Sequence, residues 1–314
     1  MLTFGESMVV FNPQTTGPFR HVPTFARSIG GAESNVAIGL MRLGRTAGWV
    51  SKVSPDAMGM YVLSAIRGEG VDVSRCVRAE SGFTGLIVKE RPGLGDPNVY
   101  FYRRGSAAST MSPAEFPVDL VRQARFLHAT GIFPALSPNC LETTRTALRA
   151  AREAGVPILF DPNMRRKLWA EEEARPVMLE MAAQATVLLP GLDEAELLVG
   201  PGEPEALVRR LLALGPAVVA LKLGPEGALL GASDSGKVAR VRGRPLDPVD
   251  TVGAGDAFAA AFLTGLLEGA SPEEAAAMGC AAGALATQVA GDIEGLPFRD
   301  QVERFLGRAM HFTR

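Results

Sequence analysis

Cysteine and histidine are nearly missing from this sequence, with three of each among 314 residues. Cys76, Cys140 and Cys280 lie far apart, as do His21, His128 and His311. No spacing among them forms a zinc clip, and three thiols cannot build a disulfide framework. The thiols are expected to serve as small apolar residues. His128 sits in the apolar stretch Phe126-Leu127-His128-Ala129-Thr130, which suits an interior imidazole. His21 and His311 stand near the two ends without a recognisable Ser or Cys nucleophile beside them, so a histidine-driven hydrolase is disfavoured. Charge of one sign is missing too: 32 basic residues face 34 acidic ones, with no long basic block. That balance argues against a nucleic-acid partner. No apolar run reaches membrane-spanning length, and the Ala-rich stretch 256–267 reads as a buried helix. The first residues show no basic region followed by an apolar core. The expectation is a soluble, cytoplasmic protein with no membrane partner.

What is present is a steady alternation of short apolar runs with helical periodicity. Helices are expected over 34–43, 61–69, 140–154, 171–185, 203–214, 256–267 and 272–290. Strands are expected over 48–53, 126–130, 157–161, 185–190 and 217–222. This order suggests parallel strands covered on both sides, with the loops after their C-terminal ends along one edge. Two regions break the alternation: 7–11, and 82–90 with 98–104, where strands follow one another without helices. The second pair is joined by Arg91-Pro92-Gly93-Leu94-Gly95-Asp96-Pro97, a hairpin-loop composition. These strands read as a small β flap that covers a site or packs against another subunit.

Chemistry concentrates in Pro248-Val249-Asp250-Thr251-Val252-Gly253-Ala254-Gly255-Asp256-Ala257-Phe258. Two glycines let the backbone turn closely, and successive N–H groups at the start of a helix make a nest for an anion. Asp256 would repel that anion unless it served another purpose, such as taking the proton from a hydroxyl that attacks a phosphoryl group. A plain N-cap at Asp256 with a tight glycine turn is the competing reading.

The stretch 250–256 resembles the C-terminal signature of the ribokinase-like (phosphofructokinase-B type) carbohydrate kinases. Gly30-Gly31-Ala32-Glu33-Ser34-Asn35-Val36-Ala37, followed by Leu43-Gly44, is similar to their N-terminal signature. The resemblance covers essentially the whole chain. It implies a three-layer α/β/α fold with a mostly parallel central sheet, one kinase domain over 1–314, and a β lid formed mainly from about 7–27 and 82–106. It implies ATP and Mg²⁺ as cofactors, leaves a monovalent cation as an open option and metal ligands unassigned, and suggests a homo-oligomer formed through the lid. Asp256 would then be the catalytic base, the amides of Gly253, Ala254 and Gly255 the anion hole, and Gly31 and Asn35 substrate contacts. Lys222, Gly224 and Gly227, in Leu221-Lys222-Leu223-Gly224-Pro225-Glu226-Gly227, resemble the segment that lines the ATP site, although a plain β turn with a solvated Lys gives the same pattern. Asn163 and Glu194 join them, as does Gly191, which stands where the family has Asn.

Substrate class rests on a further resemblance. Furanose-using relatives carry an Asp in the first flap strand, and Val10 stands there in this chain. Arg103 and Arg165 follow a flap strand and a central strand, and two guanidinium groups suit a carboxylate. With Gly30–Glu33, these stretches look most like the 2-keto-3-deoxygluconate kinases, in which residues matching Arg103, Arg165 and Asp292 meet the acid substrate. Phe101 and Ile87 occupy places where that subgroup has Tyr. The reading is an ATP-dependent kinase of a small sugar acid, forming the 6-phosphate. A fructokinase-like sugar kinase and a non-catalytic sugar-acid sensor are the alternatives. A dinucleotide reductase ranks below them because no Gly-x-Gly-x-x-Gly follows the first strand.

Overall fold

The computed structural model describes residues 1–93, 98–234 and 236–308. The centre of the inter-strand loop expected at 91–97, and His311, lie outside the described residues.

Eight strands form the main sheet: β1 (Leu2–Phe4), β4 (Gly48–Val50), β9 (Leu127–Thr130), β10 (Ile158–Asp161), β11 (Val187–Leu188), β12 (Val218–Lys222), β13 (Gly227–Ala232) and β14 (Val238–Arg242). Their order is β14-β13-β12-β11-β10-β9-β1-β4, parallel from β12 to β4, with β13 and β14 antiparallel at one edge. A four-stranded lid holds β3 (Phe25–Gly30), β2 (Met8–Pro13), β7 (Leu86–Glu90) and β8 (Asn98–Tyr102) in that order. A small ladder pairs β5 (Lys52–Val53) with β6 (Val77–Arg78).

The sheet is apolar on both faces, as buried parallel strands require. Along β10, Ile158 and Phe160 face one core while Leu159 faces the other; Val219 and Leu221 of β12 oppose Ala220 in the same way. One face is covered by α1 (Ala32–Arg42), α2 (Ala57–Gly68), α8 (Ala254–Leu267), α9 (Pro272–Ala286) and α10 (Arg299–Phe305). The opposite face carries α3 (Val118–Gln123), α4 (Pro138–Glu153), α5 (Glu171–Ala182), α6 (Leu192–Val199) and α7 (Pro204–Leu212). The expected three-layer α/β/α fold is therefore present. Helix starts follow local chemistry: Asp56 caps α2 by accepting from Gly59 N at 2.8 Å, and Ser137 caps α4 ahead of Pro138.

Several expected boundaries move. The run 48–53 divides at Ser51, whose carbonyl accepts from Val77 N at 2.8 Å, so its second half leaves the main sheet for β6. The helix expected to reach 290 stops at Ala286, because the Thr287 carbonyl turns to the N–H groups of Val249 and Asp250, at 2.8 and 3.1 Å. The strand expected over 185–190 shortens to Val187–Leu188. The lid gains a fourth strand, β3, which the expected lid span 7–27 reaches only in its first three residues. His128 is interior as expected, and burial holds its imidazole down to about 3; Nδ1 meets Thr3 Oγ1 at 2.8 Å while Nε2 has no partner. The three thiols are unpaired, and burial pushes each above the ordinary cysteine value. Among the described residues no helix is long and apolar enough to cross a membrane.

Candidate active site

Parallel strands deliver their C-terminal ends to one edge of the sheet, and a cavity of about 1080 Å³ opens there beneath the lid. Glu6 follows β1, Ile132 follows β9, Asp161 closes β10, Glu194 follows β11 and Lys222 closes β12; all five line the cavity. The lid contributes Met8, Ile87, Lys89 and Phe101 as the opposite wall.

The anion turn is built on Gly253. Its φ of +78° lies in the left-handed region, and a Cβ there would stand 2.7 Å from the Asp292 carbonyl oxygen, so only glycine fits without a shift. Asp250 braces the turn from outside, accepting from Val252 N at 3.1 Å and from Gly291 N at 3.2 Å. Beyond the turn, α8 starts at Ala254, and the N–H groups of Gly253, Gly255 and Asp256 have no backbone acceptor among the described residues. The Ala254 N–H differs from its expected place in the anion hole: it turns to the Thr251 carbonyl at 3.4 Å. The free donors are thus Gly253, Gly255 and Asp256.

Asp256 is not the N-cap of α8, a place taken by Gly253. Its carboxylate accepts from Asn35 Nδ2 at 2.8 Å, joining the two signature motifs across 221 residues. Burial, above all, raises the Asp256 carboxyl to about 7; Asp161 adds to this, while Asn35, Arg165 and Lys222 oppose it. A carboxyl poised there can take a proton from a hydroxyl near neutral pH. Asn35 Oδ1 is buried at the cavity without a partner. Gly31 allows α1 to approach this closely, since a Cβ on it would stand 2.3 Å from the Glu6 carbonyl oxygen.

Behind Asp256, Lys222 donates to Asp161 Oδ2 at 2.6 Å. Burial pulls its pKa down, but the charges of Asp161, Glu194 and Asp256 outweigh this and hold it above the ordinary lysine value. Its ammonium lies 4.0 Å from where a Cβ on Gly255 would stand, so Lys222 faces the anion turn. Glu194 accepts from Gly191 N at 2.7 Å and Met164 N at 2.8 Å, which fixes the loop carrying Asn163 and Arg165. Asn163 lines the cavity with its N–H on Asp161 Oδ1 at 3.2 Å. Gly224 and Gly227 stand apart in the turn between β12 and β13, outside the cavity lining. A Cβ on Gly227 would stand 2.1 Å from the Val241 carbonyl oxygen, so glycine lets β14 pass close to the turn.

Acceptor-side residues arrive mostly in pairs. Arg103 Nε donates to Glu6 Oε2 at 2.6 Å, and Ser106 donates to the other oxygen of Glu6. Arg103 Nη2 is buried and lacks a well-directed hydrogen bond, although it lies close to Glu6. Asp292 accepts from Lys89 Nζ at 2.8 Å. Arg165 lines the cavity and forms no hydrogen bond or ion pair through its side chain among the described residues. Phe101 lies on the wall with the Lys167 ammonium 5.6 Å from its ring centroid. Val10 is buried in a small lid cluster with Met8 and Ile87.

Glu6, Lys89 and Asp161 escape a reading of motifs. A signal for Lys89 exists in the strand alternation, where it shares the buried face with Ile87 and so needs an ionic partner. Glu33, quoted only as part of a motif, lies fully buried against Thr130, and burial raises its carboxyl to about 7.

The donor set suits magnesium carried in on a nucleotide. Among the described residues no group of three or more His, Cys, Asp or Glu could cage a metal, whereas Asp161 and Glu194 face the cavity around Lys222. Magnesium that keeps several waters needs only one or two carboxylates plus phosphates.

Residues 1–299 match the sequence model described as pfkB family carbohydrate kinase. The chain is 42% identical to the 2-dehydro-3-deoxygluconokinase of Bacillus subtilis, covering 99% of this chain and 97% of that one. It is 33% identical to the 2-dehydro-3-deoxygluconokinase of Thermoproteus tenax, over 98% and 94% of the two chains. A crystal structure of a PfkB protein from Polaromonas sp. JS666 superposes with a TM-score of 0.88 at 39% identity, covering 96% of this chain and 98% of that one.

Proposed function

The chain belongs to the pfkB family of carbohydrate kinases, and from that premise we propose that it transfers the γ-phosphoryl group of ATP to the terminal hydroxyl of 2-keto-3-deoxygluconate (2-dehydro-3-deoxygluconate). The observation that carries the transfer chemistry is the meeting of Asp256, raised to about 7, with the unpartnered N–H groups of the anion turn.

In this reading the hydroxyl oxygen attacks the γ-phosphorus as Asp256 takes its proton. The bond from phosphorus to the bridging oxygen breaks, and ADP leaves with that oxygen. The amides of Gly253, Gly255 and Asp256 hold the charge that gathers on the transferred group, and Lys222 adds a fixed positive charge beside them. Asp161 and Glu194 are the carboxylates placed to hold magnesium; bound there, it would neutralise phosphate charge. Asn35 orients the base, and its free Oδ1 accepts from a substrate hydroxyl.

For the acceptor, Arg165 supplies a guanidinium at the cavity that forms no ion pair among the described residues, which suits a carboxylate. Asp292, with one oxygen on Lys89, leaves the other for a hydroxyl. A neutral-sugar kinase is the second reading, favoured by one observation: Glu6 already balances the charge of Arg103. The relatives named 2-dehydro-3-deoxygluconokinase support the first. Assembly through the lid is also proposed, because β8 is its outer strand and exposes Tyr100 and Tyr102 for a second copy to cover; a monomer by light scattering would remove this.

The test is ADP release across 2-keto-3-deoxygluconate, fructose and ribose, compared as kcat/KM. The keto acid is expected to lead. A neutral sugar in first place overturns the acid assignment, and ligand binding without ADP release from any of them overturns the proposed transfer.

A further inference from the structure

The Lys89–Asp292 pair does more than line the cavity. Lys89 sits on β7, an inner strand of the lid, and is 4% exposed; Asp292 is 8% exposed, in the turn after α9. Their charged atoms meet at 2.8 Å across 203 residues. Asp292 touches two further parts of the site. Its carboxylate lies against Gly30, where a Cβ would stand 2.7 Å from Oδ1, and its carbonyl lies against Gly253, also 2.7 Å from an added Cβ. The adjoining Gly291 N–H is held by Asp250, which also holds Val252 of the anion turn. One residue therefore joins the lid, the acceptor loop and the phosphoryl-binding turn, and its ionic partner belongs to the lid.

We propose that Lys89 is a positioning residue for phosphoryl transfer: through Asp292 it fastens the lid to the anion turn, so that acceptor and donor groups are set by one buried ion pair. Burial pushes Asp292 above the usual carboxylate range, and Lys89 is the cation that opposes this. Glu294 and Asp250 also act on Asp292; both are acidic and work against its charge. Without Lys89 the Asp292 carboxylate loses its cation inside a buried cluster, and the turn it supports loses its reference point. A displacement of about 1 Å at a reacting centre can reduce turnover by about a hundredfold.

This inference rests on the proposed transfer geometry and is tested so that the two can fail separately. Lys89→Met, Lys89→Arg, Asp292→Asn and the double variant Lys89→Met/Asp292→Asn are compared with the unaltered chain, at saturating ATP and acceptor. The acceptor is whichever sugar the unaltered chain phosphorylates best. If that is not the keto acid, the acid assignment fails while Lys89 is still tested. Lys89→Met should lower kcat by about tenfold or more, as well as raising KM for the acceptor. Lys89→Arg should recover most of the loss, because it restores the charge. The double variant, which leaves no unpaired buried charge, keeps the test open if Lys89→Met alone does not fold; its kcat should be no lower than that of the worse single variant. An unchanged kcat with only KM raised would overturn the proposal. So would multiplication of the two single losses in the double variant, or a folded Lys89→Arg no better than Lys89→Met.

Discussion

At the phosphoryl end of the cavity the binding groups are largely backbone: three N–H groups set by the left-handed φ of Gly253 and the start of α8. At the acceptor end they are side chains in ion pairs, Glu6 with Arg103 and Lys89 with Asp292, plus the unpaired Arg165. A backbone nest answers to phosphate geometry whatever the acceptor is, whereas a set of paired charges can be retuned one side chain at a time. The two ends should therefore fail differently when altered. Changes to the first should lower kcat with every sugar, and changes to Arg103 or Arg165 in the second should reorder the sugars. The Lys89–Asp292 pair, which reaches both ends, should lower kcat as well.

The largest effect is expected from Asp256→Asn, which should reduce kcat by about 10² to 10⁴-fold for every acceptor while ATP still binds by calorimetry. Near-normal turnover would remove the base. Gly253→Ala adds a Cβ 2.7 Å from the Asp292 carbonyl oxygen at a positive φ, and should cost about a hundredfold in kcat, again independent of acceptor. Arg165→Leu should break the symmetry: compared on the alkaline plateau, above the Asp256 limb, it should lower kcat/KM for the keto acid by about ten- to a hundredfold and leave fructose nearly unchanged. An equal loss for both would place Arg165 on the nucleotide instead. Phe101→Tyr should have the smallest effect, about two- to tenfold in KM for one acceptor or another.

The pH dependence separates the ends as well. Asp256 must be ionised to accept a proton, so kcat/KM should rise with pH through an acid limb centred near 7. Arg165→Leu removes a charge that favours the ionised form, so that limb should move to higher pH. Stability runs the opposite way. Asp256 and Glu33 are both raised to about 7 in the fold, so their contribution is fully present below about pH 4 and is lost as pH rises through 7. Glu33→Gln should accordingly be less sensitive than the unaltered chain to a rise from pH 5 to pH 8 in thermal melts, and an identical slope would contradict the raised value.

Legibility in the sequence follows the same division. The anion turn and Asp256 lie within four consecutive residues, 253–256, and a contiguous motif is what a linear reading detects. The alternation of helices and strands is equally local and carries the layered fold, with ends displaced and the short elements α3, α6, α10 and β14 missed. The pairs are not local. Glu6 meets Arg103 across 97 residues, and neither residue type names its partner. β1 is three residues long, too short to show the period that would mark Glu6 as following a central strand. Gly224 and Gly227 show a different limit, because a glycine turn between two strands reads the same in sequence whether or not a ligand lies against it. Lys89 was readable in principle from its buried register, but its function depends on a carboxylate that only the folded chain brings near.

The order of these residues along the chain carries a consequence for biosynthesis. Proteins emerge from the ribosome N-terminus first, and the two acids that complete the cavity, Asp256 and Asp292, come late, whereas Lys89 and Asn35 come early. Until residue 256 is free of the ribosomal tunnel the signature asparagine has no carboxylate to hold, and until residue 292 follows it the lid lysine has no counter-charge. A nascent chain can thus lay down its first strands and lid while remaining catalytically silent, and activity waits for Asp256 and Asp292 to join them.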